Sequence, residues 1–432
     1  MKIALITLGC PKNEVDSEIL ASLLYQNKFI LIDNVNEADV VIINTCAFIE
    51  KAVKEAVDRI LEIALLKKRI IVTGCLVSRY GENILKELLP EVEFFFDTYN
   101  YINIVKYLLK KHYKTNKKFI YSHKFPRLGN SIYKYVKISE GCSNNCSFCT
   151  IPKIKGKFFS RPIRDIINEI KKLVDKGVEE IILVSQDTGR YGKDLDKNTN
   201  LVKLIEKILK IKNLKWLKVL YLYPDTINKD LLELTKHEKF CPYLDIPIQH
   251  IDNKILKLMN RKTSEKEIRD LFYKIKAFYP EIFLRTSVMV GFPQEDEKSF
   301  EKLLNFLKEI EFYNLGCFKY SPEEGTKAAK LNGQVKQIIK HKRYLKIMKN
   351  QREIVKKINK TFKGKVFDAI IEGYCNESNL ILCGRTFFQA PEIDGKVFIT
   401  RGYVEKPGIY KVKIKNFKNY DLIGELDLTN CN

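Results

Sequence analysis

The chain has 432 residues, of which 45% are hydrophobic and 30% charged, and 76 Lys and Arg against 53 Asp and Glu give a net charge of +23. This length exceeds what one hydrophobic core supports, so two or three domains are expected. The apolar content excludes a disordered chain, and no segment approaches the roughly 18 uninterrupted apolar residues of a membrane span. The first residues lack a signal-peptide cleavage site and should form a buried strand, which predicts a cytoplasmic protein without membrane association.

The positive charge has two interpretations. It suits an anionic partner such as nucleic acid or a ribosome, but the lysines are spread along the whole chain and equally fit a compositional habit. The chain also has 11 cysteines. Because the cytosol keeps thiols reduced, we expect clustered cysteines to bind metal or do redox work and not to form a disulfide framework.

The first part of the chain repeats an apolar run that ends at a cysteine. The pattern occurs at three places, residues 2–10, 38–46 and 68–75. Helical spacings of Leu and Ile separate them, at 14–27 and 50–66, which predicts a parallel sheet covered by helices. Cys10, Cys46 and Cys75 should therefore converge at the carboxyl edge of that sheet. Spacing alone leaves metal ligands and buried structural cysteines both open.

A second series of alternating patterns begins near residue 133. Six strand patterns occur, at 133–138, 180–187, 216–224, 243–250, 283–293 and 314–322. Helical patterns separate nearly all of them, for example at 163–176, 201–211, 264–278 and 297–310. Six such units predict a partial (βα)6 barrel related to the TIM type, with its chemistry at the carboxyl ends of the strands.

The pattern of hydrophobic residues changes in the last part of the chain. Residues 334–360 predict one long amphipathic helix, and from 361 onward short alternating strands with turns predict a small, OB-like all-β barrel. The fold class is thus α/β with a C-terminal β barrel. We predict three domains, with boundaries at 1–114, 128–358 and 361–432.

A second group of cysteines directly follows the first barrel strand. The segment EGCSNNCSFC places Cys142, Cys146 and Cys149 in a C-x3-C-x2-C arrangement. Three thiolates on one loop can hold three irons of a [4Fe–4S] cluster and leave the fourth iron open to a substrate. Zinc is the competing metal, but a structural zinc site needs four protein ligands and no histidine is near in sequence.

This loop and barrel resemble the radical S-adenosylmethionine (SAM) superfamily. The resemblance implies that the open iron chelates SAM, which is then cleaved to a 5′-deoxyadenosyl radical. Together with the N-terminal cysteine triplet and a C-terminal TRAM-type β module, the chain resembles the methylthiotransferases. In that family Cys10, Cys46 and Cys75 would hold an auxiliary [4Fe–4S] cluster that carries sulfur, SAM would serve as both methyl donor and radical source, and a flavodoxin or ferredoxin would supply electrons.

The family has two branches, which modify either an aspartate in the twelfth small-subunit ribosomal protein or an adenosine in tRNA. Segments LGCPKNEVDSE (8–18), YLYPD (221–225), YLDIPIQH (243–250) and APEIDG (390–395) resemble the aspartate branch. The tRNA branch, which stays the alternative, usually has Gln-Met at Pro11-Lys12. Residues 361–432 carry ten basic and nine acidic residues, so this module lacks the charge expected for gripping RNA. Glu392 and Asp394 are the candidate contacts to a basic ribosomal protein. The alternative is that they are turn residues with no role in binding.

Polar residues near the barrel strand ends are further candidates. They are predicted to contact SAM or substrate, against the alternative of structural hydrogen bonds: Ser185, Gln186, Asp187, Gln249, His250 and Arg285. Gly291 should allow close approach of its backbone to the adenosyl group. The other cysteines are expected to be small core or surface residues: Cys241, Cys317, Cys375, Cys383 and Cys431. A non-enzymatic iron–sulfur carrier or an RNA-binding protein is the alternative of a different class.

Overall fold

The computed structural model describes residues 1–112, 127–129, 131–375 and 378–427. Residues 113 and 114 of the first predicted domain, Cys431 and the end of the last predicted domain lie outside these ranges. No helix within the described ranges combines the length and apolarity needed to cross a membrane. The α/β fold class predicted from sequence is confirmed, with two parallel sheets followed by a closed β barrel.

The N-terminal part is a parallel sheet in the order β2-β1-β3-β4-β5. Its strands are β1 (Lys2–Thr7), β2 (Ile30–Ile32), β3 (Val40–Thr45), β4 (Arg69–Gly74) and β5 (Phe94–Phe96). Its helices are α1 (Pro11–Gln26), α2 (Glu50–Ala64), α3 (Cys75–Tyr80), α4 (Glu82–Leu88) and α5 (Tyr101–Leu108). The central strand β3 is buried along its whole length, as its continuous Val and Ile run requires when both faces are covered.

The central part is an open barrel of six parallel strands in the order β13-β12-β11-β10-β9-β6. The six barrel strands are β6 (Tyr133–Lys137), β9 (Glu180–Val184), β10 (Trp216–Val219), β11 (Phe240–Asp245), β12 (Phe283–Val290) and β13 (Asn314–Lys319). The short strands β7 (Ser139–Glu140) and β8 (Phe159–Ser160) form a separate antiparallel pair. The helices are α6 (Ile151–Lys155), α7 (Ile163–Val174), α8 (Leu201–Leu209), α9 (Lys229–Leu234), α10 (Asn253–Leu258), α11 (Glu265–Phe278) and α12 (Glu297–Ile310). Several predicted strands end early, because their polar last residues form the loops at the carboxyl end of the barrel.

The long helix α13 (Gln337–Phe362) leads into a closed barrel in the order β14-β15-β16-β18-β17. The strands of this C-terminal barrel are β14 (Val366–Cys375), β15 (Ser378–Thr386), β16 (Val397–Arg401), β17 (Gly408–Lys418) and β18 (Asp421–Leu426). Its loop after β15 packs against the amino-terminal end of the six-stranded sheet. There the ring of Phe388 stacks on that of Phe283, the first residue of β12, with 4.1 Å between ring centres.

Two cysteines depart from the expectation that the thiols are reduced and unpaired. Cys375 and Cys383 form a disulfide, with 5.0 Å between their Cα atoms. They lie on β14 and β15, which are antiparallel neighbours, and side chains on adjacent strands come within bonding reach. The expectation of no disulfide was drawn from the cellular compartment, which says nothing about which strands pair.

A buried charge cluster joins the C-terminal barrel to the central one. Arg385 Nη2 lies 2.5 Å from the carboxylate of Glu180, the first residue of β9, and Lys218 Nζ lies 3.0 Å from the same carboxylate. Burial alone would raise the pKa of Glu180, but the two cations lower it by more than that, so the net pKa lies below the ordinary value. The ionised carboxylate therefore stabilises the folded chain above the pKa of an unfolded glutamate, and this stabilisation is lost as the pH falls through the lower folded value.

We expect Glu180→Gln to lower the free energy of unfolding by about 3–5 kcal/mol, because it leaves buried Lys218 without an anion and Arg385 with only the partly exposed Glu372. The exposed pair of Lys411 and Asp368 on the C-terminal barrel provides a matched control. Asp368→Asn should cost at most about 1 kcal/mol. Urea unfolding of both variants at neutral and acidic pH measures this, and equal losses for the two would contradict the assignment.

Candidate active site

The three N-terminal cysteines, here called the auxiliary triplet, lie at the carboxyl edge of the first sheet. Cys10 caps the start of α1, Cys46 follows β3, and Cys75 begins α3 directly after β4. The side-chain oxygen of Asn13 lies 3.8 Å from the Cys10 sulfur and 4.0 Å from the Cys75 sulfur. Asn13 is itself fixed, since its amide donates to the carbonyls that precede Cys10 and Cys46 in their loops. The predicted convergence is confirmed, whereas a ligand role stays a prediction.

Gly9 lets the Cys46 loop approach the Cys10 loop. Its φ is +105°, and a Cβ built there would lie 2.5 Å from Cys46 Cβ and 3.1 Å from Cys46 Sγ. Only a residue without a side chain fits both the backbone conformation and the space. Gly81 also has a positive φ, +86°, but a Cβ there would meet no atom within 4 Å.

Gly9→Ala should therefore displace Cys46 and, if the auxiliary triplet holds a [4Fe–4S] cluster, lower the iron content by about four per chain. Gly81→Ala carries a similar backbone strain of roughly 1–3 kcal/mol without the clash, so it should keep its iron. Iron content per purified chain is the measurement. Equal iron in the two variants would show that the close contact at Gly9 does not shape a metal site.

The second group, here called the radical triplet, lies on the loop between β7 and α6. The Cys142 sulfur accepts a hydrogen bond from the backbone N–H of Asn144 at 3.4 Å, and Cys149 donates its N–H to the carbonyl of Cys146 at 3.2 Å. The Cys146 sulfur lies 4.0 Å from both Arg261 Nη1 and the hydroxyl of Tyr223. The loop thus folds back on itself and places its thiols beside a cation.

The chemistry of both triplets fits an iron–sulfur cluster. Burial raises the pKa of the Cys75 and Cys149 thiols to about 12, and the other cysteines of each triplet raise it as well. At neutral pH these thiols ionise only when further positive charge is present, and iron supplies that charge. Within the described ranges no three His, Cys, Asp or Glu side chains have the spacing of a single-ion site. A cube, in which each thiolate binds a different iron, fits such triplets better than one zinc ion.

The residues that follow β9 lie beside the radical triplet. Asp187 accepts hydrogen bonds from Asn144 Nδ2 at 2.5 Å and from Arg190 Nε at 2.9 Å. Its other oxygen is buried, as is Oε1 of Gln186, and neither has a hydrogen-bond partner in the part of the chain that the structure describes. Two orphaned acceptors next to this loop fit a ligand that carries an ammonium group and hydroxyls, as SAM does. Ser185 instead accepts the Asp187 N–H at 3.0 Å, which shapes the turn.

Other predicted SAM or substrate contacts have structural partners. His250 is buried, its Nδ1 accepts the N–H of Asp252, and burial lowers its pKa to about 3, so it is neutral. Gln249 is half-buried and adopts a φ of +67° where its backbone bridges to β12. A Cβ on Gly291 would lie 2.2 Å from the Lys340 side chain, so packing against α13 already requires a glycine there.

Arg285 and Asp394 pair with each other, which corrects the expected role of Asp394. The Asp394 carboxylate, only 3% exposed, lies 3.3 Å from Arg285 Nε and accepts a hydrogen bond from the Tyr243 hydroxyl at 2.7 Å. It is therefore not available to grip a basic protein, because the APEIDG loop inserts into the barrel. Arg285 also pairs with Asp245 at 3.0 Å. Of the two predicted acids, Glu392 is the exposed one.

Two tyrosines to which the sequence assigned no role lie between the start of α1 and the radical triplet. Tyr221 and Tyr223 follow β10, and the ring of Tyr221 lies 3.8 Å from Lys12 Nζ on the first turn of α1. Tyr223 lies against Cys146 and Arg261, whose guanidinium is 4.1 Å from its ring centre. The YLYPD motif was a usable signal because it directly follows a barrel strand, where the loops at the carboxyl ends carry the site.

Comparison with known proteins agrees with this arrangement. The uncharacterized protein family UPF0004 matches residues 2–97, the radical SAM superfamily matches 136–307 and the TRAM domain matches 364–426. The radical SAM methyltransferase TsrM from Kitasatospora setae has a similar fold, with a TM-score of 0.55 and 12% identity over 74% of each chain. The cobalamin-dependent radical enzyme OxsB gives 0.51 and 13% over 82% of this chain and 56% of its own. Fold and cysteine loop together define a radical SAM enzyme.

Full-length relatives narrow the class. Ribosomal protein uS12 methylthiotransferases named RimO are 43% identical in Geotalea uraniireducens and 44% in Acetivibrio thermocellus, each over 98% of both chains. The relative from Aquifex aeolicus is 44% identical over 98% of this chain and 97% of its own. The chain belongs to this family of radical SAM methylthiotransferases, as the sequence motifs predicted. Membership implies that it binds SAM and a [4Fe–4S] cluster.

Proposed function

We propose that this enzyme attaches a methylthio group to the β-carbon of an aspartate in ribosomal protein uS12. The observation that carries the proposal is that the YLYPD loop contacts both parts of the site. Tyr221 lies on Lys12, two residues after Cys10 of the auxiliary triplet, and Tyr223 lies against Cys146 of the radical triplet. A radical formed at one site and sulfur held at the other need such proximity, because both must reach the same carbon atom. The names of the full-length relatives support uS12 as the substrate.

The proposal includes a second [4Fe–4S] cluster, held by Cys10, Cys46 and Cys75. Its support is the convergence of these thiols around Asn13 and the close approach at Gly9. Three thiolates leave one iron of such a cluster open, which is where sulfur for transfer would bind. When bound, the clusters and SAM supply the electron, the radical and the methyl group.

The chain's own residues would then bind SAM, shield the radical triplet and position the C-terminal barrel. Asp187 and Gln186 present buried acceptor oxygens to SAM beside the radical triplet. Tyr223 and Arg261 cover the Cys146 sulfur and keep water from it. Arg285, fixed between Asp245 and Asp394, ties the C-terminal barrel to the barrel interior, so it acts as a positioning residue and not as a free cation.

The tRNA alternative is less well supported. The C-terminal module carries ten basic and nine acidic residues, and RNA binding would favour a concentrated positive charge. We propose that the protein partner is uS12, that a flavodoxin or ferredoxin supplies electrons, and that the enzyme acts in the cytoplasm, where ribosomal proteins are assembled.

Mass spectrometry of uS12 and of tRNA from cells with and without the gene tests the proposal. We expect a methylthio group on one uS12 aspartate that disappears with the gene, while tRNA modification is unchanged. Loss of a methylthio group from tRNA, with unmodified uS12 in both strains, would instead support the alternative.

A further inference from the structure

Lys12 reaches from the first sheet to the barrel. It lies in the first turn of α1, two residues after Cys10, and its side chain is partly buried. Its ammonium lies 3.8 Å from the ring centre of Tyr221, a residue just beyond the end of β10. Such a contact holds the cation in place but supplies no counter-charge.

The position of this ammonium lies between the two triplets. Lys12 belongs to the helix that starts at the auxiliary triplet, and Tyr221 belongs to the loop that reaches the radical triplet. Two residues further along that loop, the Tyr223 hydroxyl lies 4.0 Å from the Cys146 sulfur. A group bound at Lys12 would therefore have one triplet on each side.

Within the described part of the chain, Lys12 differs from its charged neighbours in having neither an ion-pair nor a hydrogen-bond partner. Lys137 and Lys155 pair with Asp16 and Glu140, and Arg285 pairs with Asp245 and Asp394. Arg261 also has no carboxylate partner there, but it donates a hydrogen bond to the carbonyl of Pro247. Among the described residues the Lys12 ammonium has neither an ion pair nor a hydrogen bond, and its direct contact is with the Tyr221 ring. Cys10, Cys46 and Glu140 act on it electrostatically from beyond ion-pair distance. A partly buried cation is costly unless an anion completes the site, so the missing partner should come with the substrate.

We propose that Lys12 binds the side-chain carboxylate of the target aspartate. This rests on the proposed function, because it takes an aspartate as the substrate. The ammonium offers three hydrogen-bond donors to a carboxylate. Since the β-carbon is one bond from that carboxylate, the contact holds the reacting carbon between the radical triplet and the auxiliary triplet. Lys12 is thus a residue that recognises the charge of the substrate.

The test compares uS12 with a version in which the target aspartate is replaced by asparagine. Wild-type enzyme should bind the aspartate form about tenfold more tightly, as expected for one charge-assisted hydrogen bond. Lys12→Met should bind the two forms equally. Lys51→Met, at the second residue of α2 and exposed, is the matched control and should keep the preference, and Lys12→Arg should keep most of it because the charge remains.

The affinity of each variant is measured for both forms of uS12. A general loss of folded protein or of iron weakens binding of both forms and leaves the ratio of the two affinities unchanged. A tenfold preference that persists in Lys12→Met overturns the inference. The inference also fails if Lys12→Met binds the aspartate and asparagine forms of uS12 more weakly by the same factor. That result would mean that Lys12 supports the auxiliary triplet and does not recognise the carboxylate. If wild-type enzyme neither binds nor modifies uS12, the proposed function itself fails, and that result is distinct from the other two.

Discussion

Cys146→Ala should abolish the formation of 5′-deoxyadenosine from SAM. The substitution removes one of three thiolates from the radical triplet, and the two that remain cannot hold a cube with a single open iron. The auxiliary triplet lies on a different sheet and shares no side chain with this loop, so about four irons per chain should remain. Product chromatography and iron analysis on the same sample measure both effects.

Cys317→Ala is the control for this substitution. Cys317 lies on β13 of the same barrel, is half-buried, and belongs to neither triplet. Its removal should leave both the iron content and SAM cleavage close to wild type. Should Cys146→Ala cleave SAM at the wild-type rate, the 142–149 loop is not the radical site.

Cys46→Ala should separate the two reactions. We expect reductive SAM cleavage to continue, because the radical triplet is intact, while methylthio transfer to uS12 stops. Iron should fall by about four per chain, as for loss of one cluster. The physical reason is that Cys46 contributes its thiol directly beside Gly9 and Cys10, where no other cysteine can replace it.

Cys241→Ala provides the comparison for that result, since Cys241 is a buried free cysteine on β11 outside both triplets. It should keep full iron and full transfer, apart from the modest cost of a small cavity. Normal methylthiolation by Cys46→Ala, with iron equal to that of Cys241→Ala, would make Cys46 a simple core residue.

The architecture could be predicted from sequence because its signals are local. Apolar Val and Ile runs such as Val40–Ile43 mark strands that are buried on both faces, and the helical spacing between them fixes the parallel order. Convergence of Cys10, Cys46 and Cys75 followed from the same rule, since parallel strands end at one edge. The short edge strands β2 and β5 went unnoticed because three residues give too little periodicity.

Contacts between distant parts of the chain could not be predicted from the sequence. Asp394 was expected at a surface because a turn motif of six residues cannot reveal that its loop enters the barrel formed by strands β6 to β13. Its partner Arg285 was expected to face the substrate for the same reason. The pairing of Cys375 with Cys383 depends on strand neighbours, and the Lys12–Tyr221 contact depends on how the first sheet docks on the barrel.

The most direct test of the whole account is a competition in one reaction. Purified enzyme with its clusters reconstituted is supplied with a reductant, methyl-labelled SAM, uS12 and unmodified tRNA. We expect label to enter one aspartate of uS12 as a methylthio group and 5′-deoxyadenosine to form alongside it, while tRNA stays unlabelled. Label in tRNA with none in uS12 would contradict it.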